Sequence, residues 1–199
     1  MKKVILSLVL MLAVTAVPAI AATGPEQLIR ETSDKVLEEI RTNSAQYETD
    51  PQGVYDLVNT VVLPHFDFSA MTDRALGRYK DDVNEQQRPE IVNEFRMLLV
   101  RTYSSALLEY TDQVLVYLPM EGSEAEGEVT VRTEIEQAGG FPIPINYVLR
   151  NGDDGWKVLD ISVDEVSLVT NYRSSFARAI KKNGVDGLIE TLRARNGSR

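Results

Sequence analysis

The segment Trp156–Phe176, WKVLDISVDEVSLVTNYRSSF, constrains the fold most, because the apolar spacing changes there from that of a strand to that of a helix across a short polar joint. Leu159, Ile161 and Val163 alternate with Asp160, Ser162 and Asp164, the period of a half-buried strand. Val169, Tyr172, Phe176 and Ile180 then recur at spacings of three and four, the stripe of a helix with one buried face. Ser167 is placed to N-cap that helix by accepting an otherwise orphaned backbone N–H. With so little loop, the helix is predicted to lie across the sheet. Such a unit encloses either a close-packed core or a pocket.

The first residues read as a segment outside the fold. Lys2 and Lys3 precede an apolar run from Val4 to Val17, then Pro18 and the small-residue series Ala19, Ile20, Ala21, Ala22, the layout of a secretory signal with an A-x-A cleavage site. The run is too short and wrongly flanked for a stable membrane span. Residues 1–22 are therefore expected to be a cleaved signal peptide and residues 23–199 a single soluble domain, large enough for a sizeable core. The chain has no cysteine, which excludes a thiol-linked lipid anchor and a disulfide scaffold, so stability must come from packing. Without Lys2 and Lys3 the formal charge of −9 becomes −11. An acidic surface argues against nucleic acid and against standing attachment to anionic headgroups, and it suits brief contact with membranes or membrane complexes.

After Gly24-Pro25, the positions Leu28, Ile29, Thr32, Val36 and Ile40 trace one helical face to about Ser44. Asp50-Pro51 supplies an N-cap and an N1 proline for a second helix with the stripe Val54, Leu57, Val58, Val61, Val62, ended by Leu63-Pro64. A turn (His65, Phe66, Asp67, Phe68) and a short helix through Met71, Ala75 and Leu76, stopped by Gly77, are expected to wedge under it. Asn84 and Gln87 resemble a capping box, although Pro89 favours a start near Arg88. Ile91, Phe95, Leu98, Leu99, Thr102, Tyr103, Ala106, Leu107 and Tyr110 form the longest stripe, predicted to be the main helix across the sheet.

Beyond Thr111 the period becomes two. Val114–Leu118, Val129–Ile135 and Ile143–Leu149 read as strands, the first two joined by the acidic link MEGSEAEGE. Pro142 and Pro144 cannot donate ladder bonds, so their edge is expected to be free or to begin pairing after Pro144. The turn Asn151–Gly155 leads back to the Trp156 strand. Asn183-Gly184 is a C-cap, and Val185, Leu188, Ile189 and Leu192 make a last short helix. Helices, a four-stranded antiparallel meander and two helices make a single α+β domain without repeats.

Catalytic constellations are absent. His65 is the lone histidine, and no G-x-S-x-G elbow or phosphate-cradling glycine loop occurs. Asp67, Asp160 and Asp164 are single carboxylates beside strand ends and turns, where they commonly cap or are solvated. What the chain offers is apolar surface, including Phe66, Phe68, Phe95, Tyr103, Tyr110, Tyr147, Tyr172 and Phe176, which either packs as a core or lines a void.

The segments PHFDFSAMTDRALGRY, FRMLLVRTYSSALLEY and WKVLDISVDEVSLVTNYRSSF resemble the MlaC family, also called the toluene-tolerance auxiliary family, and the similarity runs from about Pro25 to Leu192. It is carried by Pro64, Phe66, Asp67 and Phe68, by Leu76-Gly77, Phe95, Tyr103, Trp156 and Asp160, and by Val166–Val169 with Asn171, Tyr172, Arg173 and Phe176. The family commonly has glycine where this chain has Glu165, and glutamate disfavours the positive φ that glycine would permit. The resemblance implies a nuclear-transport-factor-2-like fold, a curved sheet and helices around a deep apolar cavity. It also implies a periplasmic phospholipid carrier that shuttles lipid between an outer-membrane lipoprotein complex with a porin and an inner-membrane Mla ABC transporter, maintaining outer-membrane lipid asymmetry.

The expected ligand is a diacyl phospholipid, with no other cofactor, metal or nucleic acid. Its tails would meet Phe66, Leu76, Phe95, Leu99, Tyr103, Leu107, Val131, Ile145, Tyr147, Ile161, Val166, Val169 and Tyr172, and Arg150, Arg173 or Arg178 would meet the phosphate. No nucleotide motif is present, so directionality would come from partners. Two alternatives stay open: an enzyme of the same fold acting on a small apolar substrate, and a generic periplasmic chaperone for lipoproteins or hydrophobic ligands.

Overall fold

The structure, a computed structural model, describes residues 23–110, 114–137 and 139–197; the expected signal peptide, residues 1–22, lies outside them. Helices α1 (Pro25–Thr42), α2 (Ser44–Thr49) and α3 (Pro51–Leu57) come first, and α3 runs on as a π turn over Val58–Val62. The Asp50 carboxylate caps α3 by accepting the Gln52 amide at 3.1 Å, so the Asp-Pro start forms as its residue types predict. Helix α4 (Phe68–Leu76) is capped by Asp67, which accepts the Ala70 amide at 2.8 Å. Helix α5 (Gln87–Tyr103) opens on a reciprocal box: Gln87 N–H donates to Asn84 Oδ1 at 2.8 Å and Asn84 N–H to Gln87 Oε1 at 3.1 Å. Pro89 thus falls in the first turn, where its missing N–H costs nothing.

Five strands follow: β1 (Leu115–Ser123), β2 (Glu128–Ile135), β3 (Ile143–Gly152), β4 (Gly155–Val163) and the two-residue β5 (Val166–Ser167). They pair antiparallel in the order β1-β2-β3-β4-β5, the expected meander plus one short strand. Pairing along β3 begins at Ile143, earlier than the prolines suggested. Pro144 sits opposite Glu134 and serves as acceptor, taking the Asp164 amide at 3.0 Å. Asp164 and Glu165 form the β4–β5 turn with φ of 50° and 62°. Both central residues therefore adopt the left-handed region that a tight primed hairpin turn demands, and glutamate takes it despite the expectation that it would resist. Helix α6 (Leu168–Gly197) starts one residue later and is broken at Asn183–Gly184, as the predicted C-cap required.

Two packing expectations are corrected. Helix α5 packs chiefly on α6 and α4 instead of crossing the sheet, and α4 packs on α6 and α5 instead of under α3. The helices that reach the sheet are α1, against β2, and α4 and α6, against β4. An apolar stripe states that a helix has a buried face and is silent about the partner that buries it.

Candidate functional site

The register puts Val129, Val131, Thr133 and Ile135 of β2 opposite Leu149, Tyr147, Ile145 and Ile143 of β3, and Tyr147 and Ile145 opposite Ile161 and Val163 of β4. These residues share one sheet face. Tyr117 of β1 joins it opposite Thr133. Along β3 and β4 the burial is graded. Leu149 and Val158 are fully buried, whereas Tyr147, Ile161, Ile145, Val163 and Ile143 are only half-buried although they lie on the interior face.

A domain of this size ordinarily closes one contiguous core. Here the buried apolar residues fall into three clusters. The first is helical: Leu76, Phe95, Leu99, Val169 and Tyr172 with Phe176, in which Phe95 meets Tyr172 and Phe176 edge-on with ring centroids 5.1 Å apart in both pairs. The second joins Val131, Leu149, Trp156 and Val158 to Ile29 of α1, with Tyr117, Tyr147 and Ile161 packed around it. The third holds Val36 and Ile40 of α1 against Val54 and Leu57, with Leu107 at its border. Phe66 packs against both the helical and the sheet cluster. Its backbone pairs with Val158, and the next amide, Asp67, donates to the Val158 carbonyl at 3.0 Å, fixing the ring between the two.

The expected lining is thus divided: Val131, Ile145, Tyr147 and Ile161 on the sheet, Leu76, Phe95, Leu99, Tyr103, Val169 and Tyr172 among the helices, Leu107 in a third group, Phe66 between. Val166, expected beside them, stands 56% exposed on β5. Tyr117 escapes sequence reasoning, because Leu115–Leu118 is apolar at every position and its alternation does not say which face is interior. Its hydroxyl is enclosed and closes no hydrogen bond with the protein; Ser33 of α1 lies near enough only to influence its ionisation. The Arg30 guanidinium sits 3.7 Å over the Tyr117 ring and is held by Glu26 at 2.8 Å.

Although the residue as a whole is half-buried, desolvation of its phenol end pushes Tyr147 up to about 12, with Tyr117 beside it adding to the shift and nearby Thr133 opposing it. Tyr103 is raised in the same way, by burial and by the adjoining Tyr172. The phenols are therefore neutral and un-ionised against an apolar interior. His65 is shifted the other way, lowered by burial and then by Lys157 and Lys35, which keeps it neutral.

The three arginines expected at a phosphate have other engagements or sit in the open. Arg150, on the opposite sheet face from Leu149, pairs with Asp67 at 3.2 Å beside an open polar depression of about 260 Å³ lined by Asp67, Ser69, Ala70, Asp73, Arg74 and Arg150. Arg173 donates from Nε and Nη2 to the Arg74 carbonyl at 3.1 and 2.9 Å, satisfying the last turn of α4. Its stem passes over Gly77, whose φ of 56° favours glycine at the end of α4. Arg178 is exposed on α6.

Residues 30–194 match the MlaC protein family. The chain belongs to the MlaC family. Two relatives agree with that: the toluene tolerance protein ttg2D of Pseudomonas putida is 26% identical over 90% of this chain and 83% of its own length. The intermembrane phospholipid transport system binding protein MlaC of Haemophilus influenzae is 27% identical over 87% and 83%. The fold matches the structure of a phospholipid-binding protein from Ralstonia solanacearum in complex with a phospholipid, with a TM-score of 0.80 and 30% identity across 87% of this chain and 97% of that one. Conformity of this MlaC chain to the α+β, antiparallel-sheet fold is therefore established. Among the described residues no helix is long and apolar enough to cross a membrane.

Proposed function

We propose that this MlaC protein binds a diacyl phospholipid in the interior between its sheet and helices and carries it across the periplasm. The observation that carries the reading is the half-buried row Tyr147, Ile161, Ile145 and Val163 on an interior sheet face, beside a sheet cluster that is distinct from the helical one and touches it through Phe66. It is supported by the fold shared with a protein that holds a phospholipid. Two acyl chains carry about 30 methylenes at roughly 0.8 kcal/mol each, so exposing them to water costs about 24 kcal/mol, and a carrier must cover nearly all of that. Neutral Tyr117, Tyr147 and Tyr103 suit such a lining because their rings are apolar and their hydroxyls can meet ester oxygens.

In this reading residues 1–22 are removed on export and residues 23–199 act in the periplasm. The protein moves lipid between an outer-membrane lipoprotein with its porin and an inner-membrane Mla ABC transporter, without catalysis of its own. Sheet-side residues, Val131 among them, form the first wall, with Phe66 at the join to the helices, while Leu76, Phe95, Leu99, Tyr103, Val169 and Tyr172 supply the helical wall. The test is transfer of a labelled phospholipid from donor to acceptor vesicles held apart by a protein-permeable membrane. Transfer that rises with protein concentration supports the reading; transfer no faster than buffer alone contradicts it.

A further inference from the structure

We propose that the sheet end carrying Val114, Phe141 and Val166 is the docking surface for a protein partner that presents an apolar site rimmed by Lys or Arg. Taking this end as the mouth of the interior, and the transporter complex as the partner tested, rests on the carrier reading; the docking surface is argued from the exposed side chains and their charges.

The register gathers these residues. Leu115 pairs with Ile135, Ile135 with Ile143, Ile145 with Val163, and Val163 with Val166. The Glu136 amide donates to the Val114 carbonyl at 3.0 Å, and the Asp164 amide to the Pro144 carbonyl at 3.0 Å. These two register rows, offset by two residues on β3 at Ile143 and Ile145, mark one end of the sheet, roughly 19 Å across at about 4.8 Å per strand. The large apolar side chains that stand exposed among the described residues are Phe141 at 92%, Val114 at 58% and Val166 at 56%; Val166 is in this end of the sheet, Val114 directly precedes β1 here, and Phe141 lies in the β2–β3 connection two residues before β3. Single exposed apolar groups need no explanation, but their confinement to one edge does. It is also the end toward which β3 and β4 become half-exposed on their interior face, while Thr133 and Ile135 of β2 stay buried.

Charge selects the occupant. Glu134, Glu136, Asp164 and Glu165 flank the apolar row, and positions 114–118, 134–145 and 162–172 contain no lysine or arginine. An anionic bilayer surface would be repelled, and so would the same acidic row on a second copy of the chain. A protein site with an apolar centre for the Phe141 ring and a basic rim is the complement that remains.

The test uses the mature protein as purified, with its phospholipid content measured separately. Two probes are compared: vesicles of phosphatidylethanolamine with phosphatidylglycerol, and the same vesicles carrying the inner-membrane ABC transporter complex. Phe141→Ser and Glu136→Lys are each expected to weaken binding to the complex-bearing vesicles about tenfold while circular dichroism stays that of the wild type. Wild-type binding should weaken as salt rises, and Asp153→Lys, at the opposite end of the sheet, should bind as the wild type does. The proposal is overturned if the wild type does not bind the complex, if Phe141→Ser binds as tightly as the wild type, or if protein-free vesicles bind equally well. It is equally overturned if the variants lose only self-association in sedimentation. Binding is read independently of cargo, so a protein that docks but holds no phospholipid would sink the carrier reading and leave the docking surface standing.

Discussion

The Asp160 carboxylate on β4 accepts the Val169 amide in the first turn of α6 at 3.2 Å, joining the strand to the helix that follows it by a bond that spans the β4–β5 turn. Ser167 completes the cap: its hydroxyl donates to Asp160 Oδ2 at 2.5 Å and accepts the Thr170 amide at 2.9 Å. Two orphaned amides and a helix dipole are satisfied by one carboxylate and one hydroxyl. Asp160→Ala and Ser167→Ala should each destabilise the fold by about 1–2 kcal/mol in urea unfolding. Because the two groups bond each other, the double variant should cost less than the sum. Strict additivity would contradict a shared cap.

The turn beneath this cap is strained, with Asp164 and Glu165 both at positive φ. Glu165→Gly removes the Cβ penalty of about 1–2 kcal/mol, partly offset by the greater freedom of glycine in the unfolded chain. A net gain of about 0.5–1 kcal/mol is expected, seen as a higher Tm, the opposite sign from Ser167→Ala. A lower Tm would mean that the Glu165 side chain makes a contact worth more than the strain.

Arg173 separates a structural role from a ligand role. As the donor to the Arg74 carbonyl it closes α4, so Arg173→Ala should cost about 1 kcal/mol and leave bound lipid unchanged. Loss of lipid from a protein of nearly wild-type stability would assign Arg173 to the phosphate instead.

The Tyr147 phenol, raised to about 12, is favoured in its neutral form by the folded state. Its contribution to stability is therefore complete below the unfolded value near 10 and is lost as pH climbs through about 12. Tyr147→Phe should abolish that part of the alkaline loss, followed by phenolate absorbance alongside circular dichroism. An unaltered alkaline profile would show that Tyr147 ionises freely.

Charges placed in the two walls should behave differently. Ile161→Glu and Tyr147→Glu introduce a carboxylate at half-buried positions and should yield a folded protein without lipid. Val169→Glu, at a site 1% exposed in the helical cluster, should unfold it. Wild-type lipid content in both sheet variants would remove the sheet face from the lining.

Much of this architecture is legible in the amino-acid sequence itself. The caps at Asp50, at Asn84 with Gln87 and at Ser167, and the break at Asn183–Gly184, are local chemistry, and each forms as the residue types require. Partner choice is less legible. The stripe of α5 is satisfied by α4 and α6 as readily as by a sheet, and the first part of β1, Leu115–Leu118, is apolar on both faces. Register shifts between Leu118 and Glu121 and between Val148 and Leu149 depend on long-range pairing and have no clear local signal. Glu165 shows tertiary pairing of β4 with β5 overriding a local preference. The division of the apolar residues into three clusters is invisible to hydropathy, which records that a side chain is apolar and not whether another protein atom or a ligand covers it.

Lipid extraction and mass spectrometry of the mature protein, purified from a Gram-negative periplasm without detergent, addresses the carrier claim most directly. A diacyl phospholipid in near-equimolar amount is the predicted result. A protein folded by circular dichroism and devoid of phospholipid would contradict it.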